Sequence, residues 1–437
     1  MLDFVSTVLL PAAVFVPYYQ AFDPTIGDFP VVNYYTEEWL SNQVNEYQVL
    51  LVQSWSDLGS KMLFAANLLS CMGLAKSLIR RKSGTSAAIQ VINVASRVVP
   101  SAVEGNMDTK LARSRPNHAR RFLECAMSLA HIAFVVWGGA VIGLQLQTTL
   151  KSSFSECHVQ LYPWLSSSKP SCLFLEFNCI TATHPVTGVE AEVQSYIEQI
   201  DGDVLLFFTI KHCPALYMPS ATQQLHRLQG LKMQNVTIVE WGDDAALTNT
   251  HNPNIMVAYF ADVRVNGIPQ GLLSADFPKQ LSDVEFCICN FSSLPPTLPT
   301  KWNQGMWVSL DYAQFTAIPD MLLEMNVQYL TMAANQIDTL PEGWLTHATM
   351  VEIPLNPLSV VPDIDPATVS LASLAVASTS VSVLPHWVDA AYIGAGRQFH
   401  AADTPLCKNA SYVFPPGVSR EDICLDGHNC KLFYGIS

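Results

Sequence analysis

The chain has 437 residues, of which 49% are apolar and only 14% are charged, against about 25% charged residues in an ordinary globular domain. The formal net charge is −14, and residues 150–437 hold 12 basic and 27 acidic side chains. This acidic part would repel phosphates, which argues against a nucleic-acid partner. The shortage of charge predicts membrane segments, a long apolar repeat core, or both.

Three apolar runs in the N-terminal third are candidate membrane spans. The strongest is 122–147, whose centre lacks Asp, Glu, Lys and Arg and which is long enough to cross a hydrocarbon core of about 30 Å. Residues 60–79 form a second span, interrupted by Lys76, whose long side chain can reach the interface. Residues 4–19 are a third candidate, although they are short, contain two prolines and lack the basic start of a signal peptide. The alternative for 122–147 is a buried helix of a soluble domain.

The charges between these spans predict the topology. The loop 80–121 carries nine Lys and Arg residues against two carboxylates, whereas 20–59 carries six carboxylates and no Lys or Arg. Basic loops stay on the cytoplasmic side. We therefore expect 80–121 in the cytoplasm and 150–437 outside the cell, with the helical membrane region in the plasma membrane.

Sequons and cysteines in the C-terminal two thirds bear on the compartment. Candidate glycosylation sites are Asn235, Asn290 and Asn409. Cysteines cluster at both ends of this part: Cys157, Cys172, Cys179, Cys407, Cys424 and Cys430. Such clusters predict disulfide-stapled caps in an oxidising compartment, with a zinc site as the poorer alternative. The pairing within each trio is open, and each trio leaves one cysteine over.

A repeat of 21 to 27 residues runs through 204–388. In VQYLTMAANQIDTLPEGW, apolar residues occupy positions 1, 3, 8 and 11 of a frame that begins at Leu330, with Asn335 at position 6 and Pro341 at position 12. The same frame begins at Phe208, Leu231, Ala258, Val284, Val308, Leu330, Val351 and Leu374. A period of this length predicts a solenoid, because no unit can bury its apolar face alone.

The frame resembles the leucine-rich repeat family, whose unit reads L-x-x-L-x-L-x-x-N/C-x-L followed by a Leu-Pro segment. The resemblance implies an α/β leucine-rich repeat solenoid with a parallel inner sheet of about eight repeats, preceded by the helical membrane region. The side chain at position 6 should satisfy backbone groups of neighbouring turns. Only Asn335 and Asn356 supply an amide there, so we expect the first three repeats to be irregular. Cys287, at position 4, is expected to face outward as a free thiol.

The flanks of the repeat add a narrower resemblance, to the membrane-anchored leucine-rich repeat proteins abundant in oomycetes. The residues that carry it are Cys157, Pro163, Trp164, Cys172, Cys179 and Cys407. The predicted domains are a membrane region (1–150), a Cys-containing juxtamembrane N-cap (151–203), the leucine-rich repeats (204–388) and a Cys-containing C-cap (389–437).

Catalytic motifs are missing from the sequence. It contains no nucleophile elbow, phosphate-binding loop, zinc-protease motif or kinase motif set, so we expect no enzyme, no cofactor and no metal. The acidic segment 240–244 together with His251 could bind a cation, but a solvated insertion between repeats is the preferred interpretation.

Function in this fold usually resides at positions 2, 4 and 5, which flank the core positions of each strand and form the concave face. The residues predicted to contribute to a protein- or peptide-docking surface are Glu285, Asp311, Tyr312 and Glu352. The predicted function is therefore recognition of a protein or peptide by a membrane-anchored, extracellular repeat domain, with a signalling co-subunit. The alternative is a structural or accessory subunit whose membrane helices carry the function through Gly138, Gly139 and Gly143.

Overall fold

The computed structural model describes residues 10–22, 24, 29–30, 33, 35–36, 39–40, 154–161, 169–181, 186–426 and 430–436, and scattered positions between 129 and 146. The chain forms two compact units, of which the first contains residues 1–20 and 42–143 and the second contains residues 21–41 and 144–437. The predicted span 60–79 and the basic loop 80–121 lie outside the described residues, as does much of the span 122–147. Helix α1, Leu10–Ala21, overlaps the candidate span 4–19. None of the helices in the described ranges has both the length and the apolarity to cross a membrane.

The second unit is built on a sheet whose strands follow each other almost in chain order. The strands are β1 (Cys157–Leu161), β2 (Ser171–Asn178), β3 (Phe207–Lys211), β4 (Leu216–Tyr217), β5 (Gly230–Glu240), β6 (Val257–Arg264), β7 (Asp283–Cys289), β8 (Trp307–Asp311), β9 (Tyr329–Thr331), β10 (Met350–Glu352), β11 (Ser373–Ala375) and β12 (Gln398–His400). β1 pairs with β2 antiparallel, the main sheet then continues in parallel from β2 to β12, and β4 pairs only with β5.

Short α-helices lie between some of the strands, and three more follow the last strand, β12. The α-helices of this unit are α2 (Glu190–Glu198), α3 (Asp320–Glu324), α4 (Glu342–His347), α5 (Ala390–Gly394), α6 (Pro405–Lys408), α7 (Arg420–Ile423) and α8 (Cys430–Tyr434). Short 3₁₀ helices connect consecutive strands at Ser220–Gln224, Asp243–Ala245, Gln270–Leu272, Leu298–Thr300 and Pro366–Thr368. Prolines at position 12, such as Pro319 and Pro341, directly precede such helices with φ near −66°. Proline suits this place because its fixed φ sets the entry into the turn and its missing N–H needs no partner.

The strand register confirms the predicted repeat frame. Each first-position residue pairs with the first-position residue of the next repeat, from Phe208 with Leu231 to Val351 with Leu374. Positions 1, 3, 8 and 11 are buried throughout the clearest copy, where Leu330, Met332 and Ile337 are each 0% exposed. The eight predicted repeats therefore stack their apolar faces into one continuous core.

Position 5 has a left-handed backbone in every repeat. The φ angles lie between +50° and +62° at His212, Asn235, Asp262, Ile288, Tyr312, Ala334, Leu355 and Ser378, and at Asp403 further along. Non-glycine residues seldom adopt this conformation, since it crowds the Cβ atom. Its recurrence shows that the chain turns in the same way after each strand.

A ninth repeat follows the eight predicted ones. Phe399 in β12 pairs with Leu374, and Asp403 supplies the left-handed position 5. Ala401 and Leu406 fill positions 3 and 8 and are buried. This repeat falls within the predicted C-cap and was missed because it lacks the Leu-Pro segment, although its spacing of 25 residues from Leu374 fits the period.

The buried amides at position 6 bond as expected. The Asn335 Nδ2 donates to the carbonyl oxygens of Leu310, Met332 and Ala333 at 2.8 to 3.2 Å, and its Oδ1 accepts the Phe315 N–H at 3.0 Å. Asn356 repeats this pattern one turn later, with its Oδ1 accepting the Ile337 N–H at 3.0 Å. Both amides thus tie consecutive repeats together and are structural.

The repeats without an amide keep the parallel register of the sheet, so the expected irregularity does not extend to the strand pairing. β5 and β6 continue past position 6, so that Val236 and Val263 are register partners in the parallel ladder. Further along, Asn290 at position 7 accepts the Val265 N–H at 2.8 Å through its side chain. Strand extension and a displaced amide therefore replace the buried asparagine in this part of the sheet.

Four disulfides staple the second unit. Cys157 bonds to Cys172, Cys179 to Cys213, Cys407 to Cys424, and Cys287 to Cys430. Cys287 faces away from the repeat core as expected, but the expectation that it is a free thiol is wrong, because it bonds to Cys430 of α8. Cys289 is the free cysteine among those described. Burial raises the pKa of its thiol to about 12, which makes it a poor nucleophile.

Candidate binding face

The face of the sheet that carries positions 2 and 4, here called the strand face, holds all the predicted binding residues. Side chains alternate between the two sides of a strand, so these positions point away from the core of positions 1 and 3. Glu285 lies at position 2 of β7, and Asp311 and Tyr312 lie at positions 4 and 5 of the next repeat. Glu352 lies two strands further, on β10. Glu285 and Tyr312 both contact α8.

Glu285 is buried, with 6% of its surface exposed, and it accepts hydrogen bonds from two tyrosines. The Tyr35 hydroxyl donates to Oε1 at 2.5 Å and the Tyr434 hydroxyl donates to Oε2 at 2.7 Å. Burial and the nearby Glu285 carboxylate raise the pKa of both phenols well above the ordinary value. Two neutral donors on one carboxylate are the arrangement that makes burying such a charge tolerable.

Three tyrosine rings converge beside this carboxylate. Tyr35, Tyr259 and Tyr434, here called the tyrosine triad, have ring centroids 5.1 to 6.2 Å apart. Lys232 lies over the Tyr434 ring at 5.6 Å, and its ammonium donates to the Tyr35 carbonyl oxygen at 3.0 Å. Aromatic edges and faces at these separations attract each other and the cation. The triad joins residues that are far apart in the sequence.

Helix α8 lies on the strand face and brings Tyr434 to Glu285. The Cys287–Cys430 disulfide fixes its first residue, and the Lys431 ammonium lies 4.5 Å from the centre of the Tyr312 ring. Ala261, at position 4 of β6, is completely buried in the same cluster. Small residues at position 4 on two neighbouring strands allow the helix to approach the sheet closely.

The Asp311 carboxylate is held by hydrogen bonds within the sheet. It is completely buried, and its Oδ1 accepts hydrogen bonds from the Thr331 hydroxyl and the Ala333 N–H, both at 2.7 Å. This carboxylate therefore connects β8 to the following repeat.

Glu352 is half-buried and lies against Tyr329. Burial, and then the Glu352 carboxylate, raise the pKa of the Tyr329 phenol well above its usual range. Trp307 packs edge-on against Tyr329 at 5.5 Å and is 47% exposed. Because exposed aromatic side chains are enriched at protein interfaces, Trp307 is suited to contact a peptide.

The sequence frame missed several residues of this face. Lys232 and Tyr259 occupy position 2 of the looser repeats, where the frame could have identified them. Tyr35 and α8 lie outside the repeats and carry no periodic signal. The signal for α8 was the cysteine left over in the last trio together with the unassigned Cys287.

The candidate glycosylation sites are all exposed. Asn235 lies at a left-handed position 5, and its Nδ2 is 3.0 Å from His212 Nδ1. Asn290 bonds through Oδ1, which leaves the nitrogen that a glycan would modify outside this contact. The Asn409 Oδ1 accepts the Ser411 N–H at 3.0 Å.

The acidic segment 240–244 gives no sign of a cation site in the part of the chain that the structure describes. Trp241 is buried and donates to the Ala245 carbonyl oxygen at 2.8 Å. The Asp243 carboxylate accepts a hydrogen bond from Gln270 at 3.1 Å. Across the described residues, no three His, Cys, Asp or Glu side chains are grouped as metal ligands would be.

Comparisons with known proteins find similarity only at the level of solved structures. No protein-family model and no curated protein matches the sequence, whereas 47 chains of solved structures do. A TLR13–ssRNA13 complex is 13% identical over 45% of this chain and 28% of that chain, with a TM-score of 0.34. A leucine-rich repeat protein from Bacteroides thetaiotaomicron is 15% identical over 49% of this chain and 30% of that one, with a TM-score of 0.34.

A third similar structure is a leucine-rich repeat protein from Leptospira interrogans. It is 13% identical over 48% of this chain and 69% of that chain, with a TM-score of 0.27. The matched region spans less than a third of the first two proteins. The leucine-rich repeat architecture follows from the parallel register and from the bonds of Asn335 and Asn356.

Proposed function

We propose that this chain is a non-enzymatic recognition protein that binds a protein or peptide partner through the strand face. The observation that carries the proposal is that this face already holds a peptide segment. Helix α8 lies on it through a disulfide, a hydrogen bond to Glu285 and a cation–π contact with Tyr312. The acidic residues of the face disfavour phosphates and therefore favour protein over nucleic acid.

The proposal places the repeats outside the cell and anchors them in the plasma membrane. Four disulfides support an oxidising compartment. The anchor rests on the apolarity of 60–79 and 122–147 in the sequence. We also propose that the chain is related to the membrane-anchored leucine-rich repeat proteins of oomycetes and that it acts with a signalling co-subunit.

Protease protection tests the topology. Sealed membrane vesicles from cells that express the full chain are treated with protease and then with a glycosidase. We expect residues 150–437 to resist the protease until detergent is added, and the glycosidase to lower their mass. An Asn235→Gln, Asn290→Gln, Asn409→Gln variant is the control and should not change mass. Digestion from the cytoplasmic side contradicts the proposed topology.

Site-specific photo-crosslinking in living cells separates recognition from the accessory alternative. A photoreactive residue at Leu355, which lies three residues after β10 and is 42% exposed, should capture a partner. One at Val360, at position 10 of the same repeat and 69% exposed, should not. Glu352→Lys should abolish the capture from Leu355. At Gly139 a Cβ would meet nothing within 4 Å in the described part of the chain, so that position reports on the accessory role. Capture from Gly139 with none from Leu355 overturns recognition in favour of that role.

A further inference from the structure

Three features make the surface around Glu285 a built site for a helix. Its floor consists of Ala261 and Cys287, which are small and completely buried. Its walls are the rings of Tyr259 and Tyr312. Its acceptor is the Glu285 carboxylate, which accepts hydrogen bonds from the Tyr35 and Tyr434 hydroxyls. If α8 left this surface, apolar area would be exposed to water and the Glu285 carboxylate would lose the Tyr434 hydroxyl, both of which cost free energy.

The residues that α8 presents to this surface have helical spacing. Lys431 and Tyr434 are three residues apart and therefore lie on one side of the helix, where they contact Tyr312 and Glu285 respectively. Cys430, four residues before Tyr434, lies on the same side and reaches Cys287. The site thus contacts a cation through the Tyr312 ring and a neutral phenol through the Glu285 carboxylate, with the two groups three residues apart on one side of the helix.

We propose that the strand face around Glu285 is a docking site for a short helix that carries a cation and, three residues later, a tyrosine, and that α8 occupies it as a tethered internal ligand. This rests on the proposed function and narrows it, since it names the chemistry of the peptide that the face binds. A partner that uses this part of the face must present the same pair of groups and must displace α8.

The disulfide makes the internal ligand a strong competitor. A tether keeps α8 at a high effective concentration beside its site. Both sulfur-bearing residues are 0% exposed, so an external thiolate reaches the bond only when α8 opens locally. In the oxidised chain the site is therefore closed to free peptides.

Peptide binding to the full chain tests this proposal. The receptor is the purified full-length chain with Cys287→Ser and Cys430→Ser, and with Lys431→Ala and Tyr434→Ala to weaken the internal ligand. The probe is a fluorescein-labelled peptide of residues 430–437 with serine in place of the cysteine, SKLFYGIS, followed by fluorescence anisotropy. We expect saturable binding to this receptor and at least tenfold weaker binding to the wild-type chain.

The contacts are tested by two matched changes. Replacing the peptide tyrosine by phenylalanine removes a hydrogen bond to a carboxylate and should weaken binding by about tenfold or more. Glu285→Gln in the receptor should weaken the tyrosine peptide but reduce the difference between the two peptides. A scrambled peptide with lysine next to tyrosine should not bind. Equal binding to receptor and wild type, or no effect of phenylalanine, overturns the proposal.

A second measurement covers the case in which the receptor does not fold, which its thermal melting curve would reveal. Hydrogen exchange of residues 430–436 is compared between the wild type and a Tyr434→Phe variant that keeps the disulfide. We expect exchange in the variant to be at least tenfold faster in these residues and unchanged in β9 and β10. Unchanged exchange throughout overturns the docking role of Tyr434. Capture from Leu355 together with failed peptide binding would leave the recognition function standing and reject this site alone.

Discussion

At the scale of single residues, position 6 decides how one repeat is joined to the next. Asn335 makes four hydrogen bonds to backbone groups of its own and the preceding repeat. Each of these backbone groups is buried, so water cannot replace a hydrogen bond that is lost. The amide is therefore a fixed structural connector, although it is the most polar residue in the apolar ladder.

Replacing this amide should be costly. We expect Asn335→Ala to lower the free energy of unfolding by roughly 2–4 kcal/mol, because it leaves several buried backbone groups unpaired at about 1–3 kcal/mol each. Urea unfolding followed by circular dichroism measures this. The control is Asn254→Ala, which removes one hydrogen bond, to the His226 carbonyl, from a partly exposed amide and should cost less than about 1 kcal/mol. Equal losses in the two variants would show that Asn335 is not a connector.

Asparagine at position 6 should destabilise the protein where extended strands already join neighbouring repeats. Val263 sits at position 6 in a buried place whose backbone already pairs within the sheet. Although asparagine matches the family pattern, we expect Val263→Asn to be less stable than Val263→Ala by about 1–3 kcal/mol, since it buries an unpaired amide. Urea titrations of the two variants compare a polar with an apolar side chain at a site where both have lost about the same apolar contact. An asparagine variant as stable as the alanine variant would contradict the strand-extension account.

At the scale of elements, the convex turns of adjacent repeats fit closely where Trp241 meets Gly271. A Cβ built on Gly271 would lie 2.0 Å from the Trp241 Nε1, the atom that donates to the Ala245 carbonyl oxygen. The indole is buried and cannot swing into solvent. Only glycine leaves room for this contact between the 3₁₀ turns.

Adding one methyl group here should therefore separate the two turns. We expect Gly271→Ala to lower the free energy of unfolding by about 1–3 kcal/mol, the usual range for overpacking, and to shift the tryptophan fluorescence spectrum. Gly394→Ala is the control, because a Cβ there meets nothing within 4 Å of the described atoms and the site lies in helix α5. It should be neutral or slightly stabilising, as alanine favours helix. A neutral Gly271→Ala would mean that the turns separate without loss.

At the scale of the whole molecule, acid stability depends in part on Glu176 near the first strands. Its carboxylate is hydrogen-bonded to His158 at 3.1 Å and to Asn178 at 3.1 Å, and it pairs with Lys211 at 3.0 Å. The hydrogen bond from His158 is the largest cause that lowers the pKa of Glu176 to about 2, against the opposing effect of burial. The folded state thus holds this carboxylate ionised where the unfolded chain protonates it.

The sign of the pH effect follows from that depressed pKa. The contribution of Glu176 is complete above the unfolded value of about 4.5 and is lost as the pH falls through about 2. We expect the unfolding free energy of the wild type to fall more steeply between these limits than that of Glu176→Gln. Urea unfolding at a series of pH values measures both slopes. Identical slopes would show that the carboxylate is not stabilised by folding.

Much of the repeat architecture could be read from local pattern, whereas the occupied binding face could not. Positions 1, 3, 8 and 11 recur because stacking buries them, and this gave the frame that the strand pairing of Leu330 with Val351 confirms. The missed ninth repeat at Phe399 shows the limit of that signal, because a disulfide-bonded cap replaced the Leu-Pro segment. The four predicted face residues lie on the strand face, yet Glu285 and Asp311 are buried within it.

The sequence by itself determined the repeat period, the register of the strands and the role of its two buried asparagines, because each of these depends on residues within one or two repeats. The tertiary structure alone decided the pairing of Cys287 with Cys430, which are 143 residues apart, and the convergence of Tyr35 and Tyr434 on Glu285. No periodicity links such distant segments. Their contacts arise only when a helix from beyond the repeats finds small residues, aromatic rings and a carboxylate on the face of the assembled sheet.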